Sequence, residues 1–277
     1  MRGSDWFLDD LAERARGRDV GGSLELAHEL SCVARDIAAD PWLYVSTLAT
    51  LGSVDLTTAR AVEPHLDAVA ILAQAGDPDL GTLGADGAST FGVYAARAPG
   101  TGLRLARDGG TVTVSGTKAW CSLATDVSHA LVTVDDAGSD ALAAVPLRHP
   151  GVAHAPSTWV SRGLTEVTTG SLTLDAVPAV LLGAPGWYLT RPGFAWGGIG
   201  VAAVWFGAAA ALAGRLTYAA LRRAPDQVAL MHLGTADRVL HTSLLALRHA
   251  AAEIAGGRAE GADGALLAAR TRAVVVD

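Results

Sequence analysis

Residues 109–134, GGTVTVSGTKAWCSLATDVSHALVTV, are the stretch on which the interpretation of this sequence depends. Residues 109–110 are a Gly-Gly pair, which predicts a tight turn. Residues 111–114 alternate Thr and Val, so one face of the strand that follows the turn is apolar. A second turn is predicted at residues 115–116, and an apolar strand at residues 130–134. The stretch therefore predicts a β-hairpin.

Between the two strands lies the segment Lys118-Ala119-Trp120-Cys121-Ser122. An indole next to a hydroxyl offers a flat apolar wall beside a hydrogen-bond donor, and a planar heterocycle can use both. The alternative is a hairpin whose Trp fills the core and whose Ser faces solvent.

The composition limits the classes of protein to which the chain can belong. Of its 277 residues, 50% are hydrophobic and only 18% are charged, with a net charge of −7. These values indicate a globular protein with a large core. Because the basic residues do not cluster, we expect no nucleic-acid partner.

The cysteines and histidines predict no metal site. Cys32 and Cys121 are far apart, and the eight histidines form no pair at i, i+4 with a third ligand. Two isolated cysteines and a start without a secretory leader predict a cytoplasmic protein.

The front of the chain, residues 5–83, is predicted to be helical. Asp5, Ser23 and Asp55 are the expected N-caps of three helices. Pro64 lies inside the third helix and predicts a kink or a split there.

Residues 90–182 change to strand-like patterns that are separated by turns, without helices between them. Strands at this density predict a small antiparallel β-barrel or a sandwich. The candidate strands are residues 90–95, 103–107, 111–115, 130–134, 142–147 and 171–174.

The remainder of the chain returns to helix. Residues 194–214 carry no charge and are long enough to span a bilayer. However, these residues are mostly Ala and Gly, which insert only weakly into a bilayer. We therefore expect a buried helix of a bundle and no membrane partner. Residues 227–255 carry a seven-residue apolar seam that requires a partner helix, and Asp237 interrupts the seam.

The domain organisation follows from these three patterns. We expect an α+β chain with an N-terminal helical domain at residues 1–83. A middle β-domain at residues 84–190 forms the small antiparallel β-barrel. A C-terminal helical bundle occupies residues 191–277.

Four stretches resemble, in the same order, motifs of the acyl-CoA dehydrogenase superfamily of flavoproteins. The similarity covers about residues 90–255, and the bundle is incomplete relative to the family. The order of helices, β-domain and bundle is also that of the family. The stretches are YAARAPGTGL at 94–103, SGTKAWCSLA at 115–124, GLTEVTTGSLTLDAVP at 163–178 and LGAPGWYLTRPGF at 182–194.

The resemblance implies FAD as cofactor and an acyl thioester or a related small molecule as substrate. In that family the matching Trp packs beside the flavin ring, and the hydroxyl residue donates to the reactive flavin nitrogen. The positions that the resemblance assigns to cofactor binding are Tyr94, Ala96, Arg97, Gly100, Gly102, Trp120, Cys121 and Ser122.

Two positions depart from the family's flavin loop. Arg97 replaces a Thr, and its guanidinium can donate to the pyrimidine edge of a flavin or remain a solvated turn residue. Leu103 replaces a Ser, so any phosphate contact would fall to the backbone N–H groups of residues 100–102.

The catalytic residue is not identified by the resemblance. Family members use a carboxylate to remove a proton from the thioester substrate. One of its two positions holds Gly197 here, and the other lies beyond residue 277. Asp237 is expected to pair with an arginine such as Arg215 or Arg272. The Arg-x-x-Phe-Gly cofactor clamp is also missing.

Two functions follow from these observations. The first is an FAD-dependent oxidoreductase that transfers hydride from the substrate to the flavin. The alternative is a catalytically silent paralogue that serves as a partner subunit or binding module of a hetero-oligomer. In both cases the apolar seam predicts homo- or hetero-oligomers through the C-terminal helices.

Overall fold

A computed structural model describes residues 4–155 and 159–276. The chain divides into two compact units. The helical unit comprises Met1–Arg18, Asp36–Ala59 and Pro192–Asp277, and the β unit comprises Asp19–Arg35 and Arg60–Arg191. This division follows contacts in space, and the boundaries proposed along the sequence at residues 83 and 190 stay a prediction.

Helices and strands occur in the order that the sequence patterns indicate. The helices are α1 Asp9–Ala15, α2 Val20–Glu29, α3 Ser31–Arg35, α4 Pro41–Val54, α5 Leu56–Gln74, α6 Trp187–Thr190, α7 Gly193–Arg222, α8 Gln227–Ala255 and α9 Gly261–Val276. The strands are β1 Phe91–Tyr94, β2 Gly102–Asp108, β3 Thr111–Ser122, β4 His129–Asp136, β5 Ser139–Pro146, β6 Val152–His154, β7 Thr169–Pro178 and β8 Val180–Leu182.

Two of the predicted helix caps are wrong. Helix α1 begins at Asp9, so Asp5 lies outside it. Helix α2 is capped by Asp19, whose carboxylate accepts from the Gly22 N–H at 2.8 Å. Ser23 lies one turn inside that helix, where its hydroxyl donates to the Asp19 carbonyl. A better-placed carboxylate four residues earlier therefore takes the role expected of Ser23.

The third predicted cap is confirmed. The Asp55 carboxylate accepts from the Thr58 N–H at 2.8 Å at the start of α5. The helix runs through Pro64 without interruption, so the predicted split is wrong. Val62 and Leu66, on either side of the proline, are fully buried, and this packing compensates for the lost backbone hydrogen bond.

The strands form one open sheet of mixed direction. Along the sheet the order is β6-β7-β3-β2-β4-β5-β8, and β1 pairs with β4 beside this path. Most neighbours are antiparallel, but β1 and β2 pair with β4 in parallel. The pairings among the described residues do not close the sheet, so the barrel is not confirmed. The strands at the two edges of the sheet, β6 and β8, are each three residues long.

The central hairpin is formed by β2 and β3, and it has the predicted first turn but not the second. The predicted strand at residues 130–134 is part of β4, which lies on the other side of β2 and is not the hairpin partner of β3. Gly109 and Gly110 join β2 to β3 with φ of 51° and 89°, values that favour glycine. Strand β3 then continues for 12 residues to Ser122, through the turn expected before Gly116. Gly116, at φ 126°, lies at an irregularity in the pairing with β7. A Cβ there would lie 2.2 Å from the Gly102 carbonyl oxygen.

The two faces of β4 belong to two separate apolar clusters of the β unit. Ala130 and Val132 pack in one cluster with Val114 and Leu172. Leu131, between them, packs in the other cluster. The alternation expected of a strand covered on both faces is therefore present.

His65 on α5 is buried in the β unit as a neutral ring. The Phe91 N–H donates to its Nδ1 at 3.2 Å, so Nε2 carries the proton and donates to the Ser31 hydroxyl at 3.0 Å. Burial lowers the pKa of His65 to about 4, and the positive form of His28 adds to this effect. The ring thus links α5, α3 and β1 only while it is uncharged.

In the helical unit, α4 and α7 approach closely at glycines. A Cβ on Gly207 would lie 1.9 Å from the Ala49 carbonyl oxygen, and one on Gly52 would lie 2.3 Å from the Val204 carbonyl oxygen. These contacts leave no room for a methyl group.

The second half of α7 and the first half of α8 expose much of their apolar surface. Asp237, expected to interrupt a buried seam, is exposed, so that expectation is wrong. Leu247 and Ile254, further along the same seam, are buried. Helix α7 is long and apolar enough to cross a membrane by length and composition alone, and 44% of its most apolar window is buried. Core helices of globular proteins meet the same criteria.

We expect the substitution Gly207→Ala to destabilise the protein by about 2 kcal/mol, because the new methyl group would overlap the α4 backbone. Gly214→Ala is the matched control on the same helix, since a Cβ there meets nothing within 4 Å. The control should be neutral or stabilising by up to about 1 kcal/mol. Urea unfolding measures both; equal effects of the two variants would contradict the close contact.

We also expect His65 to make stability depend on pH. Because its folded pKa of about 4 lies below the unfolded value of 6.5, the unfolded chain takes up the proton first as the pH falls. The contribution of the neutral ring is complete above pH 6.5 and is lost towards pH 4, at a cost of roughly 3 kcal/mol.

The comparison with His65→Gln isolates this contribution, since other titrating groups are common to both proteins. The free energy of unfolding of the wild type, minus that of the variant, should decrease between pH 7 and pH 4. A difference that stays constant over this range would show that the ring is not held neutral.

Candidate functional site

Trp120 occupies an unusual backbone position within β3. Its φ is 61°, which is rare for a residue with a large side chain. The pairing of β3 with β7 shifts register between Lys118 and Cys121, so Trp120 lies in a bulge. The indole is 50% exposed. The strand therefore presents a large apolar ring at the surface of the β unit instead of packing it in the core.

Trp120 and Ser122 line one cavity of about 70 Å³, here called the Trp120 cavity. The structure thus brings together three of the predicted cofactor residues, since Tyr94 lies there as well. Three residues not predicted from the sequence, Arg60, Pro64 and Phe91, contribute further parts of its wall.

Hydrogen bonds fix the position of Ser122. Its carbonyl accepts from the Tyr94 hydroxyl at 2.8 Å, and its own hydroxyl lies 2.9 Å from the Thr169 hydroxyl. Burial raises the pKa of Tyr94, so this phenol stays protonated and remains a donor. Tyr94 acts on the site through the backbone of Ser122.

The predicted loop residues lie in a second cavity of about 570 Å³, here called the loop cavity. Ala96, Arg97 and Gly102 line it, and Arg97 forms an ion pair with Asp140. Gly100 has a φ of 75° in the same loop. The structure therefore places Arg97 and Trp120 in different cavities.

Cys121, next to Trp120 in sequence, is buried and lines a third cavity. Burial raises the pKa of its thiol to about 12, only partly opposed by Lys118. The thiol is therefore protonated at neutral pH and is not a nucleophile.

Lys118 is a buried cation of the loop cavity that sequence analysis left without a role. Its Nζ donates to the Thr133 hydroxyl at 2.6 Å, and Thr133 donates to the Ala95 carbonyl at 3.2 Å. Burial lowers the pKa of Lys118. No carboxylate among the described residues lies within ion-pair distance of this ammonium group.

Arg60 and Glu63 were also missed. The Arg60 guanidinium donates to the Glu63 carboxylate at 2.7 Å. Burial raises the pKa of Glu63 to about 7, Arg60 lowers it, and the negative charge of Asp67 raises it further. The sequence feature that could have indicated this pair is an Arg and a Glu three residues apart on a mainly apolar helix.

The described residues show neither a carboxylate at the expected catalytic position nor a cluster of metal ligands. Position 197, where the resemblance places a base, is a glycine of α7 in the helical unit. Asp237, the other acid considered, is exposed. No group of three His, Cys, Asp or Glu side chains within residues 4–155 and 159–276 is arranged to hold a metal ion.

Comparison with known proteins gives matches among solved structures. No family model matches the sequence, and no curated protein matches it. The structure of KijD3 in complex with FMN and dTDP-3-amino-2,3,6-trideoxy-4-keto-3-methyl-D-glucose matches with a TM-score of 0.72 and 17% identity. The match covers 96% of this chain and 79% of that one.

Two further structures are similar to a comparable degree. Butyryl-CoA dehydrogenase from Megasphaera elsdenii matches with a TM-score of 0.70 and 15% identity, covering 98% of this chain and 85% of that one. Methanesulfinate monooxygenase MsuC from Pseudomonas fluorescens matches with a TM-score of 0.68 and 19% identity, covering 91% and 81%. The resemblance of the four sequence motifs is thus confirmed at the level of the fold: the chain has the acyl-CoA dehydrogenase fold, in a divergent sequence.

Proposed function

We propose that this chain binds a flavin and acts as an oxidoreductase. The observation that carries the proposal is the bulge in β3, which exposes the Trp120 indole beside the Ser122 hydroxyl at one cavity. An exposed aromatic face and a fixed hydroxyl suit a planar ring with a polar edge.

The size of the Trp120 cavity limits what can enter it. At about 70 Å³ it is too small to enclose a three-ring flavin. The exposed face of Trp120 is thus the surface available to the ring, and the cavity accepts only an edge of it or a small substrate group.

The loop cavity is the proposed position of the flavin phosphates. Gly100 and Gly102 permit close backbone approach, and Lys118 supplies a positive charge without a paired carboxylate. We propose FAD as the flavin. KijD3 was solved with FMN, so FMN is the competing cofactor in the experiment below.

The proposed reaction is hydride transfer from an acyl thioester or a related small substrate. A bound flavin would supply the hydride acceptor. On the protein side, Trp120 flanks the ring and Ser122 donates a hydrogen bond, while Tyr94 and Thr169 hold Ser122 in place.

We also propose that the protein is cytoplasmic. Both of its cysteines are free thiols, as is usual in a reducing compartment.

The alternative, a catalytically silent paralogue, is favoured by one specific observation. Neither Gly197 nor the exposed Asp237 offers a carboxylate suited to removing a substrate proton. Such a protein would bind a flavin without turnover, or would bind it only together with a second polypeptide.

We further propose that the chain associates with a second copy of itself through α7 and α8. Leu212, Leu221 and Val228 are exposed by 64%, 81% and 60%, and a groove of about 670 Å³ runs between the two helices. Several large apolar side chains exposed on the same two helices as an apolar groove are typical of an association site. Pairing two such helix hairpins gives a four-helix bundle, which covers this surface on both copies.

Titration of the purified chain with FAD and FMN tests flavin binding. We expect flavin absorbance that co-purifies or appears on titration, and a Trp120→Ala variant that binds at least about tenfold more weakly because the stacking surface is lost. Trp205→Ala, which removes an indole stacked on Arg272 in the helical unit, is the control and should bind normally. A colourless chain that takes up neither flavin would contradict the proposal.

Light scattering after size-exclusion chromatography tests self-association. Leu216 lines the groove and is half exposed, so Leu216→Lys should shift the mass towards the monomer. Leu245→Lys changes an equally exposed leucine of α8 that does not line the groove, and it should leave the mass unchanged. A wild type that is monomeric at all concentrations would rule out the second copy.

A further inference from the structure

Arg60 provides the positive charge at the wall of the Trp120 cavity. Its side chain is 40% exposed and lines the cavity together with Trp120 and Ser122. One guanidinium nitrogen donates to Glu63. No second acceptor for Arg60 is present among the described residues, so most of its five donors remain available to a ligand.

Among the described residues, Arg60 is the only cation that forms a hydrogen bond with Glu63. Asp67, one turn further along α5, pairs instead with Arg191 at 3.3 Å. Arg191 also donates to Gln74 at 2.9 Å and lies over the Tyr188 ring. The nearest charges to Glu63 are thus the attractive Arg60 and the repulsive Asp67.

We propose that the Trp120 cavity binds the carboxylate group of a small organic anion through Arg60, and that the protonation of Glu63 controls this binding. The proposal deepens the proposed flavin function, since it rests on the same cavity and specifies that the small substrate carries a free carboxylate. A planar guanidinium matches a carboxylate through two parallel hydrogen bonds. A cavity of about 70 Å³ accommodates a group of that size.

Glu63 and the ligand compete for the same guanidinium. An ionised Glu63 neutralises Arg60 and occupies one donor, whereas a protonated Glu63 leaves the positive charge to the ligand. Burial holds the pKa of Glu63 at about 7, so this change falls between pH 6 and pH 8. Binding of an anion should therefore weaken as the pH rises through neutrality.

Saturation-transfer NMR with sodium acetate measures this binding whether or not a flavin is present. Acetate stays ionised from pH 6 to pH 8, so any change reports the protein. We expect the dissociation constant of acetate to rise severalfold between these pH values in the wild type. Arg60→Met should weaken binding by roughly tenfold or more, because a charge-assisted pair is lost.

Three further variants make the outcome decisive. Arg60→Lys keeps the charge and should retain part of the affinity, even if Arg60→Met unfolds. Glu63→Gln should bind acetate equally at pH 6 and pH 8. Arg107→Met removes a half-exposed cation of the β unit that pairs with Asp136 outside both cavities, and it should leave acetate binding unchanged. Wild-type affinity in Arg60→Met, or an unchanged pH dependence in Glu63→Gln, would overturn the proposal.

The result is separable from the test of flavin binding. Acetate binding that depends on Arg60, in a chain without flavin absorbance, would support the anion site and contradict the oxidoreductase. Flavin binding without Arg60-dependent acetate binding would support the flavin function and contradict the anion site.

Discussion

The register shift between β3 and β7 is the constraint on which the candidate site depends. A regular strand would alternate its side chains evenly and would leave no residue in a left-handed conformation. The shift places Trp120 at φ 61°, and the Tyr94 hydroxyl holds the carbonyl of Ser122 two residues later. The strained backbone persists because β3 pairs with β7 on both sides of the bulge, through Lys118 before it and through Cys121 and Ser122 after it. Exposure of the indole and position of the hydroxyl are both consequences of this one irregularity.

The fold was predictable from the sequence where a signal was local and periodic. The Gly-Gly turn, the strand that follows it and the long apolar helix α7 all appear as expected. Errors arose where one local signal permitted two structures. Gly116 has the backbone freedom of a turn residue, yet neighbouring strands make it part of a continuous strand. Asp19 and Ser23 are both good N-cap residues four positions apart, so the local sequence permits either start, and the helix uses Asp19.

The candidate site was only partly predictable, for a different reason. Trp120, Ser122 and Tyr94 were found because they lie in recognisable motifs, and the structure brings them to one cavity. Arg60 and Lys118 were missed because their significance depends on distant parts of the chain. Arg60 lies 60 residues before Trp120, yet both line the same cavity. Lys118 on β3 meets Thr133 on β4 across β2, which lies between these two strands in the sheet. Single-sequence patterns contain no information about such contacts.

Stability alone does not explain the buried charges of the β unit. Glu63, Asp67, Lys118 and Arg191 all give up hydration, and apolar residues of similar size would often stabilise a fold equally well or better. Asp67 and Arg191 compensate each other, with further contacts to Gln74 and Tyr188. Lys118 has a hydroxyl as its partner, and Glu63 has a cation that also faces a cavity. The charges that remain incompletely compensated thus lie at or next to the two proposed ligand cavities. A bound anion would compensate Lys118 directly, whereas an anion at Arg60 would replace Glu63 as the partner of the guanidinium.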